Sequence, residues 1–101
     1  MISIVIPTFN EVKNIIPLLK KLLSLFNDYE YEIIIVDDDS PDGTSEEVEN
    51  YIKDKNTIKL ITRIGRSGLS SAIKEGLIFA KGKYLLVLDG DGQHHPSFVL
   101  K

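Results

Sequence analysis

The sequence predicts an α/β fold, a doubly wound and mostly parallel sheet with strand order 3-2-1-4. Short β-branched runs alternate with amphipathic segments along the whole chain. Two of those runs, Tyr31–Val36 and Tyr84–Leu88, are apolar on both faces, as strands buried under helices on both sides must be. The connections are short and polar, so each helical segment serves as a crossover between parallel strands. Right-handed crossovers leave few topologies, and 3-2-1-4 is the first part of a doubly wound sheet.

Each element has its own signal. Ile2–Pro7 reads I-S-I-V-I-P, a β-branched run stopped by proline. In Asn14–Phe26 the residues Ile15, Leu18, Leu19, Leu22, Leu23 and Phe26 share one helical face, with Pro17 in the first turn where its missing N–H costs little. Tyr31–Val36 is the second strand, and Asp37–Gly43 is an acidic, turn-rich stop. Thr44-Ser45-Glu46-Glu47 has the form of a capping box, opening a helix that turns Val48, Tyr51 and Ile52 inward. Thr57–Thr62 is the third strand. Leu69, Ala72, Ile73, Gly76, Leu77 and Ala80 recur at helical spacing, and Gly82 stands where a C-cap glycine is expected. Tyr84–Leu88 is the fourth strand. His95–Lys101 reads as the first turns of a further helix.

Composition bounds the function. The chain has 101 residues, no cysteine and a formal net charge of −3. It forms one domain, residues 1–101, burying somewhat over ~60% of its unfolded surface. Without cysteine there is no disulfide scaffold and no thiolate metal site. The acidic balance leaves no electrostatic footprint for nucleic acid. No apolar run approaches the roughly 20 residues of a membrane helix, and no signal peptide is visible, which points to a cytoplasmic protein.

The acidic residues fall in a pattern. Parallel strands end on one edge of the sheet, so the residues after each strand share one crevice. Glu11 follows β1, Asp37-Asp38-Asp39 follow β2, and Asp89 and Asp91 follow β4. In the 3-2-1-4 order, strands 1 and 4 flank the switch point where open α/β sheets bind ligands. Asp89-x-Asp91 directly after a buried strand suits a hard divalent cation, and oxygen donors favour Mg2+ or Mn2+. Gly90 and Gly92 let a ligand approach the backbone. Asp39 and Asp42 read as turn residues, whereas Asp37 and Asp38 are better placed for a ligand. Glu11 also suits the start of the first helix. Phe9 reads equally as core or as a flat surface for a base. His94 and His95 read as loop histidines. Gly65 and Gly68 make no phosphate-loop motif.

These segments, I-V-I-P-T-F-N-E, I-I-V-D-D-D-S-P-D-G-T, G-L-S-S-A-I-K-E-G and V-L-D-G-D-G-Q-H-H-P, resemble the family 2 inverting glycosyltransferases with the GT-A fold. Within that family the chain is most similar to the dolichyl-phosphate (polyprenyl-phosphate) mannosyltransferases. The S-P-D-G-T turn, the G-L-S-S-A helix start and the Gln-His after D-x-D carry that finer likeness. The resemblance covers essentially the whole chain and implies the Rossmann-like first half of a GT-A domain.

The resemblance implies transfer of mannose from GDP-mannose to a dolichyl or polyprenyl phosphate. Carried over, Pro7, Phe9, Glu11, Val36, Asp38, Asp89, Gly90 and Asp91 would bind the sugar nucleotide. Asp89, Asp91 and Gln93 would hold Mg2+ or Mn2+ against the diphosphate, with Asp89 and Asp91 as the catalytic pair. Phe9 stands where the family commonly has tyrosine. Gly90 and Gly92 replace the commoner D-A-D-L spelling, which leaves a UDP-sugar donor open, and His95 replaces a proline. Family catalytic domains are much longer, so the chain reads as a donor-binding half, inactive alone, whose acceptor site needs a second half. The resemblance also allows work at the cytoplasmic membrane face. A non-enzymatic nucleotide-binding or assembly remnant is the rival reading, motivated by an uncovered fourth strand open to self-association. A receiver domain needs an acidic pair after β1, and a dinucleotide-binding domain needs a glycine fingerprint; neither is present.

Overall fold

A computed structural model describes residues 1–65 and 68–88, and the backbone of 97–100. The elements run β1 (Ile2–Thr8), α1 (Ile15–Leu25), β2 (Tyr31–Asp37), α2 (Thr44–Ile52), β3 (Ile58–Thr62), α3 (Leu69–Phe79), β4 (Tyr84–Val87) and β5 (Ser97–Leu100). They form one sheet in the order β3-β2-β1-β4-β5. The first four strands are mutually parallel, with the expected 3-2-1-4 order. β1 and β2 lie at its centre, and each is buried from its second residue to its last.

Handedness decides which helix covers which face. The crossovers through α1 and α2 step the same way along the sheet, so both helices lie on one side. The crossover through α3 returns past β1 and lands on the other side. Ile4, Ile6, Ile33 and Ile35 pack with Ile15, Leu19 and Leu22 of α1 and Val48 of α2. The opposite face carries a smaller cluster, Ile34 and Val36 with Ala72 of α3. Each of the fully buried isoleucines contributes roughly 1.5–3 kcal/mol through burial. On the smaller face α3 comes very close to the sheet: a Cβ on Gly76 would lie 2.5 Å from Val5 Cγ1. Glycine there lets helix and strand meet with little side chain between them.

Three expectations are corrected. Ser97–Leu100 is not helical: it forms β5, antiparallel to β4 from Tyr84↔Leu100 to Val87↔Ser97. A run of three apolar residues has no period that separates strand from helix, and pairing with β4 decides it. β4 is therefore no bare edge, since β5 takes its outward peptide groups, and self-association through an uncovered fourth strand loses its basis. Gly82 is not a helix cap. α3 ends at Phe79 with an extended Ala80, and Gly82 instead meets β1, where a Cβ would lie 2.5 Å from Ser3 Oγ and 2.7 Å from the Met1 carbonyl.

The third correction concerns Thr44. It does not cap α2 with its side chain: it is the first helical residue, preceded by Gly43 at φ 90. Its hydroxyl donates to Asp42 instead, and Asp42 Oδ1 accepts the Thr44 N–H at 3.0 Å. The aspartate thus takes over the end of the helix. Among the described residues, no helix is long and apolar enough to cross a membrane.

Candidate functional site

The loops after β1 and β2 leave the same edge of the sheet and are stitched together. Three successive N–H groups of the first loop donate to side chains of the second. Asn10 N reaches Ser40 Oγ at 2.9 Å, Glu11 N reaches Thr44 Oγ1 at 3.0 Å, and Val12 N reaches Asp42 Oδ2 at 3.2 Å. Small hydroxyl and carboxylate side chains allow this, because they reach a neighbouring backbone without filling the gap between loops. Asn10 and Asp39 both adopt left-handed backbone conformations, φ 56 and 51, which their short polar side chains tolerate. Burial pushes the Asp42 carboxyl up, but hydrogen bonds from the Thr44 hydroxyl and the Val12 and Thr44 N–H groups outweigh it and hold Asp42 below the usual aspartate value.

The two aspartates that end β2 point to opposite faces and do different work. Asp37 is fully buried. Its Oδ1 accepts from the Thr8 hydroxyl at 2.7 Å and the Ser40 hydroxyl at 2.6 Å, and its Oδ2 accepts the Ser40 N–H at 3.0 Å. Asp37 is therefore a tie between β1, β2 and the turn, made through two hydroxyls and one backbone N–H. Asp38 turns to the α3 side. Its Oδ1 accepts from Arg63 Nε at 2.6 Å, and its Oδ2 accepts the Gly68 N–H at 3.2 Å. Hydrogen bonding to Asp38 raises the Arg63 pKa above its ordinary value, against the pull of burial.

The other expected nucleotide contacts divide by exposure. Phe9 is 56% exposed beside this edge, so its ring is surface and not core. Glu11 is half-buried, and its Oε2 accepts from Asn14 Nδ2 at 3.1 Å, at the entry to α1. Pro7 and Val36 face each other across β1 and β2, and both side chains are buried. Asp89, Gly90, Asp91 and Gln93 lie outside the described residues, as do His94 and His95. Among the described residues no group of three or more His, Cys, Asp and Glu side chains is arranged for a metal ion. A shallow depression between Val12, Pro41, Asp42, Glu46, Glu47 and Asn50 lies at the start of α2. Its carboxylates make it unsuited to a diphosphate.

Arg63 is the contributor that the sequence pattern did not mark. It is 3% exposed and sits directly after β3, with its backbone N–H on the Asp37 carbonyl at 2.8 Å. The available signal was its place: the first residue after β3, one strand away from an acidic strand end.

A doubly wound sheet whose first, second and third strand ends gather in this way defines a class of nucleotide-handling α/β domains. The chain belongs to glycosyl transferase family 2, whose model matches residues 3–101. Among its relatives is a dolichol-phosphate mannosyltransferase from Pyrococcus furiosus, 39% identical over 100 residues, covering 99% of this chain and 28% of that one. Solved structures that share the fold include the following two. Pyrobaculum calidifontis mannosyltransferase PcManGT, in complex with GDP-Man and Mn2+, matches with a TM-score of 0.70 and 27% identity over 89% of this chain and 27% of that one. S. aureus TarS 1-349, in complex with UDP, matches with a TM-score of 0.77 and 32% identity over 89% of this chain and 27% of that one. The chain thus spans less than a third of the length of each of these relatives.

Proposed function

We propose that the chain supplies the sugar-nucleotide side of a mannosyl transfer from GDP-mannose to a polyprenyl phosphate, at the cytoplasmic face of a membrane. The observation that carries the reading is the end of β2. Asp38 is held in one orientation by Arg63 and Gly68, its N–H is on the Thr8 carbonyl at the end of β1, and the next residue of that chain, Phe9, leaves its ring exposed. Likeness to a dolichol-phosphate mannosyltransferase across nearly the whole chain supports mannose and a lipid phosphate over other donor and acceptor pairs.

In this reading Phe9 offers a flat face to the base, Asp38 accepts hydrogen bonds from it, and the main chain at Pro7 and Val36 lines the approach. Asp89, Asp91 and Gln93 would hold Mg2+ or Mn2+, which would supply positive charge against the diphosphate leaving group. The acceptor is a phosphate, already anionic at neutral pH, so the transfer calls for alignment more than for a general base. The likeness to a UDP-bound structure favours a UDP-sugar as the second reading.

Calorimetric titration with GDP-mannose and UDP-glucose, with and without Mn2+, tests the donor site. The expected result is tighter binding of GDP-mannose, strengthened by Mn2+ and losing that Mn2+ dependence in Asp91→Ala. Binding of neither nucleotide overturns the proposal, and preference for UDP-glucose replaces it with the second reading.

A further inference from the structure

Phe9, Asn10 and Glu11 belong to no helix or strand, yet their backbone is fixed. The Thr8 carbonyl accepts the Asp38 N–H at 3.1 Å. The Asn10 N–H goes to Ser40 Oγ and the Glu11 N–H to Thr44 Oγ1. The Glu11 carbonyl accepts the Asn14 and Ile15 N–H groups at 3.0 Å and 2.9 Å. The peptides on both sides of Phe9 are thus held while its ring stays exposed. The two hydroxyls that do this are buried and are themselves directed: Ser40 donates to Asp37, and Thr44 donates to Asp42. A hydroxyl has one proton to give. With it spent on a carboxylate, the oxygen meets the backbone N–H as an acceptor. The held segment includes Asn10 at φ 56, and a left-handed residue other than glycine persists where its surroundings impose it. Asn10 lies directly between Phe9 and Glu11, so this reversal sets the direction in which each side chain leaves the chain.

We infer that Ser40 and Thr44 are positioning residues for nucleotide binding: their oriented hydroxyls hold the Phe9–Glu11 backbone in one conformation before any ligand arrives. The inference rests on the donor-site reading above. A segment without these ties would have to be ordered on binding, and the lost conformational freedom would be subtracted from affinity. The loss falls on the part of the ligand that meets Phe9 and Glu11, which is the nucleoside. The grip on the diphosphate is left unchanged.

The test titrates the chain in Mn2+ with GDP and with pyrophosphate, alongside thermal melting and amide hydrogen exchange. Ser40→Ala and Thr44→Val each remove one hydroxyl, and each is expected to weaken GDP about tenfold. Pyrophosphate affinity should stay within about twofold. Thr44→Ser restores the hydroxyl and should bring GDP back to within about twofold of wild type. Without nucleotide, the Glu11 amide of Thr44→Val should exchange about tenfold faster relative to the Ile4 and Ile6 amides. Should the variants of these buried residues fail to fold, Asp42→Ala carries the test from an exposed position. It removes the group that orients the Thr44 hydroxyl and takes the Val12 N–H, and is expected to weaken GDP about threefold with pyrophosphate unchanged.

Equal weakening of GDP and pyrophosphate with a lowered melting temperature makes the two hydroxyls merely structural and overturns the inference. Unchanged GDP affinity in any of the weakening variants overturns it as well, and so does a Thr44→Ser chain that binds GDP no better than Thr44→Val. A wild-type chain that binds GDP with an unprotected Glu11 amide overturns the inference and spares the donor-site reading. A wild-type chain that does not bind GDP although its Glu11 amide is protected overturns the donor-site reading itself, and the inference with it.

Discussion

β2 carries a buried carboxylate at each end, and the two ends are built on one plan with different outcomes. At the start, Glu32 faces Ser3 across the ladder with β1; at the finish, Asp37 faces Thr8. In both pairs the β1 hydroxyl donates to the β2 carboxylate, at 2.6 Å and 2.7 Å. The four apolar register pairs between them, Ile4↔Ile33 through Pro7↔Val36, are all buried. The difference lies in what else arrives. Glu32 Oε2 also takes the Lys81 N–H at 2.6 Å, and Lys59 Nζ stands 3.6 Å from Oε1. Gly82 N donates to Ser3 Oγ at 2.7 Å, so the chain leaving α3 is clamped to the sheet. That end is closed and partly neutralised by a cation. At the Asp37 end the additional donors come from Ser40, in the turn that leads to α2. The comparison teaches that a buried acid can be scaffold at both ends of a strand, and that position along the strand decides whether it secures a chain exit or shapes a site.

The comparison can be broken at either end, most severely at Asp37. Asp37→Ala strands the Thr8 hydroxyl and both Ser40 donors in a buried place, an expected loss of roughly 3 kcal/mol or more in urea unfolding. A loss below that of Glu32→Gln would reverse the ranking of the two ends. Next comes Gly82→Ala. The new Cβ meets Ser3 Oγ and the Met1 carbonyl, and the expected cost is about 1–3 kcal/mol by the same measurement. Stability equal to wild type would mean that the Glu32 end yields more easily than its close contacts imply.

Glu32→Gln probes the charge itself, with an expected cost of about 1–2 kcal/mol near neutral pH. Burial pushes the Glu32 carboxyl up, but the Ser3 hydroxyl, the Lys81 N–H and the Lys59 charge together bring it below its ordinary value of 4.5. A folded-state value below the unfolded one adds stability that is present above the ordinary value and lost as pH falls below it through the lowered one. The wild-type advantage over Glu32→Gln should therefore fade in acid-range unfolding curves. An advantage that grows on acidification would contradict it. The smallest effect belongs to Lys59→Ala. Lys59 is 45% exposed, so screening leaves the pair about 0.5 kcal/mol or less, and added salt should erase the difference in melting temperature.

Much of the fold was legible because it is written locally. The apolar faces of Ile15–Leu25 and Leu69–Phe79 declare helices, and the runs at Ile2, Tyr31, Ile58 and Tyr84 declare strands within a residue or two of where they lie. The edge of the sheet was legible for the same reason: strand ends can be counted. What each acid does there was not legible. Asp37 and Asp38 are neighbours of the same type, and the alternation of a strand sends them to opposite faces. One finds Thr8 and Ser40, and the other finds Arg63, 25 positions away. Thr44 followed by Glu47 spells a capping box, yet the Thr44 hydroxyl goes to Asp42 because Gly43 places the helix start one residue earlier.

The sequence by itself determined the order of the first seven elements, the parallel 3-2-1-4 sheet, the family and the edge on which the candidate site residues fall. Periodicity, turn residues and crossover handedness are properties of short stretches and of chain connectivity. Tertiary structure alone decided that Ser97–Leu100 is a strand, that Gly82 serves close packing, that Asp37 is scaffold, and that Arg63 holds Asp38. Each of those outcomes depends on a partner far away in the chain, and hydrogen bonds and close contacts of that kind exist only once the strands and α3 have been brought together.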